Sequence, residues 1–355
     1  MEENYINKEI DQVIVHLKDF MALEGLKKNF SQENFLAKEA FEVEISHQYL
    51  NEINRFVMEG YQLNIPSLID FDPLFLALEK GSVLSAVELY NVADLLIGAS
   101  DLIDTLEDKK DFEHLNDDAL DLDPVAGLKR QLLTDLEPDY TVSDNASAKL
   151  KEIRVKKRGL ERSLSSIIQT YKNRYSAYLI SNTINMKNGE ETLPVKTQYK
   201  NLVKGSIVAY SQTGETAFMV PYEMLEVRSR LREALEEENS EVMNILADLS
   251  TRCSKQLKAL KRDYEIIMNF DRYYASFRYG GSYNGSIAEQ SKEYLSLNSL
   301  FHPLLQTTKI ITNSLALGKD NPKTLLITGP NAGGKSVLIK AVALAVKMDK
   351  LGLMV

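Results

Sequence analysis

Apolar residues recur at steps of three and four along most of the chain, a period that predicts helices. Ile10 to Phe20 follows it, and so does Ser82 to Leu106, through Val83, Leu84, Val87, Leu89, Tyr90, Val92, Leu95, Leu96 and Ile97. Gly60, Pro66, Pro73 and Gly81 punctuate the pattern without changing its type. Residues 1–140 therefore read as a helical body. Residues 101–123 are strongly acidic and read as a solvated connector ending near Pro124.

Two longer seams follow. Leu150, Ile153, Leu160, Leu164, Ile167, Tyr171, Tyr175 and Tyr178 line one face of a helix expected over 145–180. Leu231, Leu235, Val242, Leu246, Leu249, Cys253, Leu257, Leu260, Tyr264 and Ile267 line a second, expected over 224–276. At the helical rise that second helix reaches roughly 80 Å, a length that needs a partner helix. Between them the texture changes. Asn188-Gly189, Pro194, Gly205, Gly214 and Pro221 separate the β-prone runs 193–198, 206–210 and 217–220. A helix going out, a β module and a helix coming back make an antiparallel arm with a small domain at its end. Residues 280–323 hold Gly280-Gly281, Asn284-Gly285 and short apolar runs around Leu304, Ile310, Ile311 and Leu315, which suit the opening of an α/β domain.

Charge divides along the same line. The 355 residues carry a net −9, but residues 1–140 hold 30 acidic and 11 basic side chains, and residues 141–355 hold 21 and 31. The acidic average thus does not exclude a polyanionic partner for the second part. One cysteine, Cys253, rules out an intrachain disulfide and a cysteine metal cluster. His16, His47, His114 and His302 are scattered, without metal-ligand spacing. The acidic start MEENYINKEI lacks the layout of a signal peptide, and the run Ala341 to Val346 is too short to span a bilayer. A cytoplasmic protein with no membrane contact is expected.

The sharpest motif is Gly329-Pro330-Asn331-Ala332-Gly333-Gly334-Lys335-Ser336, a full match to the phosphate-loop pattern. Thr324 to Thr328 reads as a buried strand before it, and Val337 to Lys347 as a helix after it. The chemistry needs that layout. Glycines let backbone N–H groups approach the phosphates, and the helix N-terminus adds partial positive charge. Lys335 is expected on the β- and γ-phosphates of ATP, and Ser336 on Mg²⁺. The metal-holding carboxylate of such sites lies on a later strand. Asp349 is the only acidic residue after the loop, and it falls at the end of the helix. Half of a nucleotide site is expected here.

In chromosome proteins of the cohesin and condensin kind the phosphate loop precedes the coiled coil, whereas here it follows. That order resembles the MutS family. The match is most similar to its MutS-two branch in GSVLSAVELYNVADLL (81–96), LPVKTQYKNLVKGSIVAYSQTGETAFMVP (193–221) and HPLL (302–305) followed by TLLITGPNAGGKS. The resemblance implies a mainly α fold with α/β parts. It comprises a helical core (1–140), a long antiparallel coiled-coil lever (141–180 and 224–279), a small β clamp (181–223) and the start of an ABC-type phosphate-loop ATPase domain (280–355). It implies a homodimeric ATPase on double-stranded or branched DNA, or on stalled ribosomes and their RNA. It implies no mismatch-reading domain, and the family's metal carboxylate, signature loop and nuclease region have no counterpart in the chain. A non-catalytic dimerising clamp is the alternative. Lys156, Lys157 and Arg158 on the arm and Lys187, Lys196, Lys200 and Lys204 at the tip are the expected phosphate contacts. Tyr273, Tyr274, Phe277 and Tyr279 read as core rather than as a stacking platform, Cys253 reads as a small core residue, and His302 as structural.

Overall fold

The computed structural model describes residues 2–305, 311–318, 321–330 and 334–355, with side chains from Ile6 onward. Its helices are α1 (Glu2–Lys18), α2 (Glu24–Asn29), α3 (Gln32–Phe35), α4 (Ala40–Met58), α5 (Asp72–Glu79), α6 (Ala86–Leu106), α7 (Glu113–Leu120), α8 (Ala126–Asp135), α9 (Ala148–Arg174), α10 (Tyr222–Lys255), α11 (Leu257–Gly281) and α12 (Lys335–Lys350). Its strands are β1 (Asn185–Lys187), β2 (Glu190–Lys196), β3 (Gly205–Tyr210), β4 (Thr216–Pro221), β5 (Tyr294–Leu300) and β6 (Asn313–Gly318). They form two compact units. One runs up to Arg130 and resumes at Ser250–Val355; the other is Gln131–Leu249. Among the described residues no helix is long and apolar enough to cross a membrane.

The first unit is built on α11, which packs against α1, α4, α5, α6 and α7. Its inward side chains Leu260, Tyr264, Ile267, Phe270 and Tyr273 are buried. Tyr273 stacks on Tyr49 of α4 at 4.5 Å, and Tyr264 meets Phe71 at 4.9 Å. Helix α6 starts at a capping box. Ser85 Oγ accepts the Glu88 N–H, and the Glu88 carboxylate accepts the Ser85 N–H at 2.7 Å. A side chain at Gly98 on α6 would overlap the Pro66 ring, so glycine permits this close approach. Cys253 is fully buried, and burial pushes its thiol up to about 12. Tyr279 is buried too, in line with the core reading.

The acidic stretch 101–123 differs from expectation. It holds the end of α6 and all of α7, with Phe112, Leu115, Ala119 and Leu122 buried. Its carboxylates face outward or find partners: Asp118 accepts from Tyr49 at 2.8 Å and from Asn269 at 2.9 Å. Sparse apolar residues at helical spacing were enough to fold it.

The second long seam also differs. It breaks at Gln256, where φ is −104° and ψ is 9°. No Gly or Pro marks the place. Side chains flanking the break bond to another part of the unit: Ser250 Oγ accepts the Leu84 N–H, and Ser254 Oγ donates to the Leu78 carbonyl. Lys261 pairs with Glu79 at 2.5 Å. The break thus falls between side chains that bond outside the helix.

In the second unit the expected β module is a four-stranded antiparallel sheet, order β1-β2-β4-β3. Asn188 and Gly189 both take positive φ, as a tight two-residue hairpin requires. Leu193, Val195, Ala217 and Met219 cover Tyr171, Tyr175 and Leu179 in one apolar cluster. The Asn188 side chain reaches the Val208 carbonyl at 3.4 Å, next to the irregularity between Ile207 and Ala209, so the β1–β2 turn curls back on β3. On α10 the buried face runs through Ala234, Ile245, Leu246 and Leu249, while Leu235 is exposed.

Two carboxyls on α11 are sealed in the first unit. Asp271 accepts N–H bonds from Ala22 and Leu23, and Asp263 accepts one from Asp123 at 2.9 Å. Burial pushes both up to about 6. A raised native pKa means that the folded state holds its proton longer, so this contribution to stability falls as pH rises from about 4 to 6. Asp263→Asn removes one such titration. Relative to wild type, the variant is expected to gain on the order of 2 kcal/mol between pH 4 and pH 7 in denaturant melts. A pH-independent difference contradicts this.

Candidate functional site

The phosphate-loop region is described at both ends. Gly334 caps α12 in the left-handed region, φ +82°, with open space where a Cβ would project. Only glycine adopts that turn without strain. The helix begins at Lys335, and the Leu338 N–H bonds the Gly334 carbonyl at 3.0 Å. Lys335 Nζ donates back to the Gly329 carbonyl, drawing the two ends of the motif together. Ser336 lies exposed in the first turn. Asn331, Ala332 and Gly333 lie outside the described residues. Backbone donors at a helix N-terminus beside a lysine suit a phosphate group.

The run 324–328 departs from the expected buried strand. It is not strand, and Leu325 and Leu326 are 48% and 84% exposed. A strand exists only as a pairing, and the described neighbours β5 and β6 pair with each other. Helix α12 presents apolar residues on two sides. Ala341, Leu344, Ala345 and Met348 are buried, whereas Ile339 and Val346 are exposed.

The buried side of α12 is mounted on α1. Lys340 pairs with Glu9 at 3.1 Å, and the same carboxylate lies 3.4 Å from His302 Nε2. Lys347 donates to Asn7 and to Gln32. Asp349 takes His47 at 2.6 Å and Gln290 at 2.9 Å. It is a docking residue, in keeping with its place at the helix end. Residues 286 and 355 exchange two backbone hydrogen bonds, at 2.6 and 2.8 Å.

The basic arm has partners. In the second unit α9 and α10 run antiparallel, stitched by ion pairs. Lys149 meets Glu241 at 2.8 Å, Lys156 meets Glu237 at 3.1 Å, and Arg154 and Lys157 share Glu238. Arg158 and Arg154 both reach Asp144. Burial opposes the Glu238 charge, yet hydrogen bonds from Lys157 and Arg154 hold its carboxyl below the ordinary value. Lys156, Lys157 and Arg158 are thus engaged by carboxylates. At the tip, Lys187 lies over the Phe218 ring at 4.6 Å, and Lys200 donates to the Tyr210 hydroxyl at 3.1 Å. Lys196 donates to the Ala177 carbonyl at 3.3 Å, and Lys204 is exposed. None of these four pairs with a carboxylate among the described residues.

No protein-family model matches the chain. Curated relatives do. It is 31% identical over 303 residues to the Endonuclease MutS2 of Thermotoga neapolitana, covering 85% of this chain and 39% of that protein. To the Endonuclease MutS2 of Enterococcus faecalis it is 31% identical over 295 residues, covering 81% and 37%. To that of Caldanaerobacter subterraneus it is 32% identical over 250 residues, covering 70% and 32%. The similarity sets the chain among MutS-type proteins. It belongs to the MutS2 family, and it spans less than two fifths of the length of these relatives.

Glu238 joins two cations at a half-buried place. Glu238→Ala leaves Arg154 and Lys157 without that acceptor. The expected loss is about 2 kcal/mol in thermal or denaturant unfolding. An unchanged midpoint contradicts a stitching role.

Proposed function

We propose that the chain is the nucleotide-responsive, nucleic-acid-holding part of a MutS2-type ATPase that works as a homodimer. ATP sits with its phosphates on the loop Gly329–Ser336, and the supporting observation is the left-handed Gly334 placing Lys335 and Ser336 at the first turn of α12. Lys335 exchanges the Gly329 carbonyl for a phosphate oxygen, and the N-terminal amides of α12 receive the negative charge. Ser336 offers its hydroxyl to Mg²⁺. The magnesium neutralises phosphate charge when bound. In this reading the helix pair α9–α10 is a coiled-coil lever and the four-stranded sheet is the clamp.

The nucleic acid is double-stranded or branched DNA, or structured RNA of a stalled ribosome. The relatives' name and their similarity to this chain support the DNA reading. Within the chain, Lys187, Lys196, Lys200 and Lys204 are the favoured phosphate contacts, because their charges are not spent on carboxylates. Such contacts hold a backbone without reading sequence.

Two measurements test this. Lys335→Ala is expected to weaken Mg-ATP binding by about tenfold or more in titration calorimetry, and unchanged affinity contradicts the nucleotide site. Reversal of Lys196, Lys200 and Lys204 to Glu is expected to weaken branched-duplex binding and to flatten its salt dependence. Reversal of Lys156 and Lys157 acts mainly on stability. Equal loss of binding from both sets contradicts the assignment to the tip.

A further inference from the structure

A cavity of about 330 Å³ opens in the first unit between α3, α4 and α11. Phe35, Leu36, Ala37 and Ile45 give it an apolar wall, and Lys38 and Arg272 bring positive charge. The Arg272 guanidinium carbon lies 5.0 Å from the Phe35 ring centre and 4.9 Å from that of Tyr273. Nη2 donates to the Leu351 carbonyl at 3.4 Å, a long bond. Nε is sealed from solvent and has no acceptor among the described residues.

That arrangement is unusual in energetic terms. A guanidinium keeps its charge at any physiological pH. Confining it costs free energy, which the nearby Glu42 charge offsets in part, and a buried donor without an acceptor adds to the cost. No carboxylate pairs with Arg272 among the described residues. The Glu42 carboxylate also lines the cavity, and it accepts the N–H of Lys38 at 2.7 Å and of Glu39 at 3.1 Å. The Arg272 side chain is among those lining the cavity, and a guanidinium matches a carboxylate or a phosphate. The volume suits a small organic molecule.

We propose that this cavity binds a small organic anion, a phosphate or carboxylate on an apolar body, anchored by Arg272 with Lys38 as the second positive charge. The apolar body lies against Leu36, Ala37 and Ile45. The site is separate from the phosphate loop and does not depend on the nucleotide reading.

The test uses the full chain carrying Lys335→Ala, so that the phosphate loop contributes little. Phenyl phosphate, benzoate and inorganic phosphate are titrated by calorimetry. Saturable binding of phenyl phosphate or benzoate is expected, about tenfold tighter than inorganic phosphate. Arg272→Met is expected to weaken it about tenfold or more. Ala37→Leu, which fills the cavity and keeps the arginine, is expected to weaken it similarly with the unfolding midpoint retained. If Arg272→Met does not fold, Ala37→Leu decides. Absence of saturable binding, equal affinity for inorganic phosphate, or undiminished binding in Ala37→Leu overturns the proposal.

Discussion

The first unit depends on α11 being surrounded. Five helices share it as their common wall. It therefore has little room for charge, yet it carries Asp263 and Asp271 inside the packing. Each carboxylate is tolerated because it takes backbone N–H bonds from loops that have no other partner for them: Asp271 from Ala22 and Leu23, Asp263 from Asp123. These bonds fix where the loops cross the helix. Arg272 lies by the Phe35 and Tyr273 rings and gives the Leu351 carbonyl one long hydrogen bond.

The same unit mounts the phosphate-loop helix. Glu9 on α1 meets both Lys340 and His302, and Asp349 meets His47. The helix that would feel a phosphate at its N-terminus is thus bonded along its length to α1 and α4. A charge arriving at Gly334 acts on an element already tied to the helical core. The second unit has a different logic. Its helix pair is held by a row of opposite charges and by Ile168 packed with Met224, and its sheet closes over tyrosines from the end of α9.

Much of this was legible in the residues. Asn188-Gly189 and the alternating runs marked the β module, and the apolar period marked α6, α9 and α10. Helix α12 was legible because Val337 to Lys347 keep helical spacing shortly after a glycine pair. Other features were hidden for physical reasons. The break at Gln256 lies beside Ser250 and Ser254, which bond to residues far away in sequence. The acidic stretch concealed α7 because four buried apolar residues were outnumbered by charge. The run 324–328 looked like a strand from composition, but strand formation requires pairing partners. Lys156 and Lys157 read as phosphate contacts because the carboxylates that engage them lie about eighty residues on. A signal was present: Glu236-Glu237-Glu238 and Glu241 mirror the lysines in reverse order.

In the proposed function, Gly334, Lys335 and Ser336 form the phosphate end of a nucleotide site on a helix bonded to α1 and α4. Hydrogen exchange with and without Mg-ADP tests it most directly. Slower exchange is expected in the first turns of α12, extending to the α1 segment around Glu9. Unchanged exchange throughout residues 334–350 at saturating Mg-ADP would contradict it.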